Sequence, residues 1–291
     1  MKVNFTKGLY GIKHRLQLIV GYFSRNRDFD LRFVDILSVI LRPPCTSFAL
    51  NRIESIFYGD EYLMVKLQNS SSVSVCLYWP KTMPIYNLYM VIAECMNKDD
   101  WHYYEIPETT VMPGDVVVDC GAAEGLFSLM VIKRAQQVIL FEPLPLFVSS
   151  LKKTFHEMTN VVIVSKALGN TSGPAVLSTG TLNSSVGFHS SGVPIEMITL
   201  DQWMAESGLE RIDYIKGDLE GFEMEVLQGA ANTIRQYKPK IAFTTYHDGN
   251  NWREILAFCR SLVPDYTYCL KGISCAGPSV RPIMIHLWLD K

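Results

Sequence analysis
Apolar residues recur at helical spacing twice near the start of the chain. Residues 12–23 place Ile12, Leu16, Ile19, Val20 and Phe23 on one stripe, and residues 31–41 do the same with Phe33, Ile36, Leu37, Ile40 and Leu41. Pro43-Pro44 then stops the second helix. The two stripes predict helices that cover either their own core or a partner subunit, so a homodimer is one expectation. Residues 61–79 alternate and are rich in Val, Leu and Tyr, which predicts one or two strands with a turn near Asn69–Ser72. The stretch Ile85–Tyr104 is aromatic and mixed, and reads as partly helical.

From Met112 the pattern changes. Pro113-Gly114-Asp115 is a turn, and Val116–Cys120 is a short apolar run of the kind buried on both faces of a parallel sheet. Strands are predicted again at Val138–Phe141, Val161–Val164, Ile195–Ile198, Tyr214–Lys216 and Lys240–Thr245, with closing strands at Tyr266–Leu270 and Ile283–Leu289. Helices are predicted over Glu124–Arg134, Pro145–Met158, Leu200–Glu206, Phe222–Gln236 and Trp252–Val263. Residues 169–192, rich in Gly, Ser and Thr, read as a long loop or hairpin. The alternation predicts an α/β fold, a doubly wound and mostly parallel sheet, in residues 111–291, preceded by an α+β extension over residues 1–110. The last two strands have no helix between them, so they are expected to be antiparallel.

Charge divides the chain unevenly. Residues 1–52 carry nine Lys/Arg and three acids, while the remainder carries eighteen against twenty-six. The basic end is suited to a phosphate-bearing acceptor or to weak contact with an anionic membrane surface; its plainer reading is a solvated helix face. The overall charge of −2 gives no case for nucleic acid. Seven scattered cysteines without a Cys-x-x-Cys pair argue against zinc, and their odd number and the lack of a secretion signal lead to a cytoplasmic expectation. No apolar run near the N-terminus approaches the ~20 residues of a membrane span.

The chemistry is concentrated at strand ends, where ligands of such sheets bind. The first parallel strand ends at Asp119, followed by Gly121, Ala122, Ala123, Glu124 and Gly125. Small residues let the backbone approach a ligand, and the following helix offers its amides. The spacing Asp-x-Gly-x-x-x-Gly differs from Gly-x-Gly-x-x-Gly and from a P-loop, which weakens the alternative of a nicotinamide-dependent oxidoreductase. Glu142, before Pro143, stands 23 residues after Asp119, near the ~20 at which an acid meets ribose hydroxyls. Lys216, Asp218, Glu220 and Glu223 crowd another strand-to-helix junction. Acids in a first helical turn are favoured by the helix dipole, which accounts for Glu220 and Glu223 better than for Asp218.

The ordered set resembles the FkbM-type S-adenosylmethionine-dependent methyltransferase family. That family carries Asp-x-Gly-Ala-Asn-x-Gly at the first turn, Phe-Glu-Pro after the second strand, and Lys-x-Asp-x-Glu-Gly-x-Glu followed by Val-Leu-x-Gly-Ala. The match runs through Asp119–Gly125, Phe141–Pro143, Ala167-Leu168-Gly169, Thr199-Leu200-Asp201 and Lys216–Ala230. The resemblance implies a Rossmann-like class I methyltransferase sheet with one reversed strand. It implies S-adenosyl-L-methionine held by Asp119, Gly121, Ala122, Ala123, Gly125, Glu142, Pro143, Ser165, Ala167 and Asp218. It implies O-methylation of a small-molecule or glycan acceptor. Ala123 stands where the family usually has Asn, and Thr244-Thr245-Tyr246-His247 lacks the family's acid before the His. These departures motivate the alternative of a non-catalytic binding subunit.

A hydroxyl acceptor calls for a base. His247, at a strand end, is the first candidate because an unperturbed imidazole titrates near 6.5, with Asp218 and Glu220 next. Asp218 could instead position His247, or hold a divalent ion with Glu220, although no metal is expected. The acceptor is expected to meet the 169–192 loop, with Asn183-Ser184-Ser185, or the aromatics Trp101, Tyr103 and Tyr104.

Overall fold
Val116–Cys120 (β4) is buried at all five positions, and a strand so enclosed needs helices on both of its faces. The computed structural model of the chain supplies them; it describes residues 15–23, 29, 32–41, 43–68, 74–177, 186–187, 192–247, 252–274 and 280–290. Beside β4 lie Gln137–Phe141 (β5) and Val161–Val164 (β6) on one side, and Tyr214–Gly217 (β11) and Lys240–Thr244 (β12) on the other. These five strands are parallel. Met284–Trp288 (β14) and Thr267–Lys271 (β13) complete a seven-stranded sheet, with β14 antiparallel to both β12 and β13. The chain runs outward from β4 through β5 and β6, then returns to β11 on the opposite side. The strand order therefore reverses between β4 and β11, where a crevice opens at their carboxyl ends.

The two faces of β4 follow the period-two rule. Val116, Val118 and Cys120 pack against Leu200–Ser207 (α7), Glu223–Gly229 (α8), Ala231–Tyr237 (α9) and Trp252–Leu262 (α10). Val117 packs on the other face with Leu126–Val131 (α5) and Pro145–Thr154 (α6). Each fully buried Val stabilises the sheet by about 1.5–3 kcal/mol. The helix predicted over Phe222–Gln236 is broken at Ala230 into α8 and α9.

Residues 45–96 share the second of these cores. Ile53–Tyr58 (β1), Tyr62–Gln68 (β2) and Ser74–Pro80 (β3) form an antiparallel meander. With Cys45–Arg52 (α3) and Ile85–Met96 (α4), it covers α5 and α6. The β3 edge is tied to α6: Tyr78 N–H donates to Thr154 Oγ1 at 3.1 Å, and Ser150 Oγ donates to the Tyr78 carbonyl. Periodicity alone did not foresee α3 or β1, because the Pro43-Pro44 break conceals a new helix that starts directly after it. Residues 15–23 (α1) and Phe33–Ile40 (α2) are helical as predicted. The turn expected at Asn69–Ser72 lies outside the described residues.

The predicted strand near Ile195 is real (β10, Val193–Ile198) but does not join the main sheet. It pairs with Ala167–Leu168 (β7) and Gly173–Leu177 (β8), and β8 pairs with Val186–Gly187 (β9), in a separate four-stranded sheet. The segment read as a long loop or hairpin thus contributes two antiparallel strands; Asn183-Ser184-Ser185 lies outside the described residues. Among the described residues, no helix is long and apolar enough to cross a membrane.

Candidate active site
Asp119 and Lys216 are register partners on β4 and β11, and both are almost wholly buried. Lys216 Nζ lies 2.9 Å from Asp119 Oδ1 and donates to the Gly121 carbonyl at 2.7 Å. Ser128 Oγ donates to Asp119 Oδ2 at 2.7 Å. Burial alone would lower the lysine pKa, but the Asp119 and Asp218 carboxylates outweigh it and hold Lys216 above the ordinary range. Asp119 therefore sits beneath the crevice and fixes the turn above it through the lysine.

That turn is a cradle of bare backbone. Gly121 has φ +72, and a Cβ there would lie 2.3 Å from the Asp218 carbonyl oxygen, so only glycine fits. Ala123 is held at φ 46, the left-handed region that Asn tolerates and Ala does not. The family's Asn thus answers a backbone demand as well as a side-chain one. Ala123 N–H donates to Glu142 Oε2 at 2.9 Å, and Leu144 N–H to Oε1 at 2.8 Å. Burial pushes Glu142 up to about 7 against these two hydrogen bonds. Each oxygen keeps a lone pair for a further donor.

The crevice above this turn holds about 190 Å³ of open space. Gly121, Ala122, Ala123, Glu142, Pro143 and Ala167 line it, as do Asp218 and Glu220. Gly125 and Ser165 are not part of that lining. Gly125 begins α5 and faces Leu151 and Phe155 of α6, whereas Ser165 is exposed beyond the end of β6. Of the aromatics proposed for the acceptor, Tyr104 lines the crevice, Trp101 packs in a separate cluster with Ile273 and Val280, and Tyr103 donates to Glu105 Oε2 at 3.0 Å.

A titratable cluster forms the opposite rim. Glu223, the first residue of α8, is fully buried and accepts from Leu219 N–H at 3.1 Å, Gly221 N–H at 3.0 Å and Thr244 Oγ1 at 2.8 Å. Its Oε1 lies 3.0 Å from His247 Nδ1. His247 Nε2 lies 3.2 Å from Glu220 Oε2 and 3.7 Å from Asp218 Oδ1, without hydrogen-bond geometry to either. Burial opposes charge on this imidazole, yet the Glu223 hydrogen bond and the Asp218, Glu223 and Glu220 carboxylates push it up to about 9. His247 is therefore an imidazolium at neutral pH. That conflicts with the reason for expecting it to be the base, its ordinary value near 6.5. It also lies outside the crevice lining, whereas its neighbour Tyr246 is part of it.

Asp218 and Glu220 behave oppositely. Burial would raise Asp218, but the His102, His247 and Lys216 charges and the 2.6 Å hydrogen bond from Tyr104 OH hold it down to about 2. Burial pushes Glu220 up to about 7, although the His247 charge pulls the other way. Glu220 also has φ 54, a strained conformation for a non-glycine residue. Asp218, Glu223 and His247 each offer one donor atom within 4.8 Å of the others, a spacing that could hold a cation. In the structure the positive charge among these carboxylates is the imidazolium itself.

Other motif residues serve the framework. A Cβ on Gly229 would meet the Gly169 carbonyl at 1.9 Å, so the Ala-Leu-Gly and Leu-x-Gly-Ala segments pack backbone to backbone. Asp201 accepts from Asn232 and Thr233 N–H at 2.9 and 2.8 Å, capping the start of α9. Among the crevice residues that sequence reasoning did not assign to the site are the polar Glu94, His102, Glu124 and Tyr246. Glu124 had a usable signal, an acid inside the Gly-rich turn. Glu94 and His102 come from the extension and meet the site only through tertiary packing.

The model of the Methyltransferase FkbM domain matches residues 119–268, just over half of the chain. Among solved structures, the methyltransferase FkbM from Methylobacillus flagellatus is 18% identical with a TM-score of 0.48, over 70% of this chain and 55% of that one. The chain thus spans about half the length of that protein. An rRNA methylase from Streptococcus thermophilus is 10% identical with a TM-score of 0.40, over 62% and 90%. TYW2 from M. jannaschii, solved with AdoMet, is 12% identical with a TM-score of 0.42, over 80% and 88%. No curated protein matches the chain. On the strength of the domain match, with the ordered motifs at the strand ends, the chain belongs to the FkbM methyltransferase family.

Proposed function
We propose that the chain is an S-adenosylmethionine-dependent O-methyltransferase acting on a hydroxyl of a sugar, glycan or secondary metabolite. One observation carries this reading. A bare-backbone cradle with a ribose-suited carboxylate (Gly121–Ala123, Glu142) and the carboxylates Asp218 and Glu220, with His247 behind them, face the same crevice.

When bound, S-adenosylmethionine supplies an electrophilic methyl group. The free lone pairs of Glu142 accept from ribose hydroxyls. Gly121 and Ala122 let the ligand lie close to the main chain, and Lys216 keeps their turn in place through the Gly121 carbonyl. Asp218, fixed by Tyr104 and always ionised at neutral pH, orients groups at the mouth. Glu220 takes the acceptor proton, because its value near 7 leaves a carboxylate available at neutral pH and makes it a stronger base than Asp218. His247 is a positioning residue: its charged ring sets the ionisation of Glu220 and is itself held by Glu223.

The test is to incubate the protein with methyl-labelled S-adenosylmethionine and a panel of sugars, nucleotide sugars and glycan extracts, and to locate the label by mass spectrometry. Label on an oxygen supports the reading. Label on nitrogen or carbon, or none with any hydroxylated acceptor while the cofactor binds, would overturn it.

A further inference from the structure
Helices α1 and α2 are anchored by very little. Leu18 and Ile36 are fully buried against Ile273 and Val280, with Trp101 beside them. Ile19, Tyr22 and Ile40 pack partly against this cluster, and several other apolar residues of the segment face outward. Val20, Phe23 and Leu41 are 65, 68 and 79% exposed, and Leu16, Val34 and Leu37 are exposed as well. The two helices contribute to one surface, because Phe23 of α1 and Phe33 of α2 meet with ring centroids 6.3 Å apart. Half of the exposed large hydrophobics of the described residues lie between residues 16 and 41. A soluble monomer rarely leaves such a patch without a use.

The charge of the same segment selects the occupant. Residues 1–52, the stretch of sequence that holds this apolar face, carry nine Lys/Arg against three acids, while the rest of the chain is acidic. A second copy would bring two basic segments together, which costs energy at physiological ionic strength. A bilayer with anionic headgroups offers the opposite charge and an apolar interior for the side chains. We propose that the exposed face of α1 and α2 docks this protein on an anionic membrane surface. Trp101 of the anchoring cluster directly precedes His102, which lines the crevice, so docking would hold the crevice close to the bilayer. If the proposed reaction is correct, that placement suits an amphiphilic acceptor; the docking itself does not depend on the reaction.

Co-sedimentation of the full chain with phosphatidylcholine vesicles, with and without phosphatidylglycerol, tests this. The expected result is binding to the anionic vesicles only, released by added salt. Val20→Glu with Leu41→Glu should weaken binding ~tenfold or more, since two apolar insertions become repulsive. Leu16→Ser with Val34→Ser is a milder pair, and an unchanged thermal unfolding curve shows that either variant folds. Four results would each overturn the proposal: no binding to either vesicle, equal binding to neutral vesicles, full binding by both folded variants, or a light-scattering mass showing a dimer that these substitutions dissociate.

Discussion

Asp119 and Lys216 form a buried cross-strand ion pair at 2.9 Å directly beneath the turn that lines the crevice. The pair links two motifs nearly a hundred residues apart, and through the Gly121 carbonyl it governs the shape of the cradle. Removing one member leaves the other charged and unpaired in the interior. Lys216→Met is therefore expected to cost about 3–5 kcal/mol, read from denaturant unfolding. The double substitution Asp119→Leu with Lys216→Met should cost clearly less than either single change. A loss in the double variant equal to the sum of the two single losses would show that the two charges act independently.

Glu220→Gln keeps the shape of the rim but removes the proposed base. Turnover should fall by about 10²–10⁴-fold with S-adenosylhomocysteine affinity unchanged. Calorimetry and single-turnover kinetics on the same preparation separate the two effects.

His247→Asn tests the positioning role by direction. The imidazolium lowers Glu220, and Asp218, Glu223 and His102 are the other titratable groups facing it. Losing the imidazolium should move the acid limb of the pH–rate profile upward from about 7. A base role for His247 predicts instead that the limb disappears along with the activity.

The same imidazole links stability to pH. Its pKa is raised from the ordinary 6.5 to about 9 on folding, so its contribution is fully present below 6.5 and is lost as pH rises through about 9. Glu220, raised to about 7, changes in the same direction over a lower range. Wild-type protein should lose stability between pH 6.5 and 9 in chemical denaturation, and His247→Asn should show a flatter curve across that window.

Ala123 carries an avoidable strain. Substituting Asn, which tolerates the left-handed region, should raise stability by about 1 kcal/mol, seen as a higher denaturant midpoint. No gain would mean that the new side chain makes an offsetting clash in the crevice.

Much of this site was legible in the chain because its parts lie at strand ends with their own local signatures. Asp119, Gly121, Glu142 and Lys216 each close a short apolar run, and a parallel sheet brings such ends together. The antiparallel β13–β14 pair was legible for a similar reason, since no helix separates the strands. What could not be read depends on distant packing. Glu94 and His102 reach the crevice only because the extension shares a core with α5 and α6. The charge state of His247 depends on three acids that fold around it, so its ordinary pKa was a misleading guide. Gly125 looked like a ligand residue from spacing, but it makes room for α6.

The central claim is that the cradle formed by Gly121–Ala123 and Glu142 binds S-adenosylmethionine. Isothermal titration with S-adenosylhomocysteine tests it without any acceptor. Saturable binding at one site per chain is expected, lost in Gly121→Val, weakened about tenfold or more in Glu142→Ala, and absent for NAD. Correctly folded protein that takes up no S-adenosylhomocysteine at millimolar concentration would contradict it.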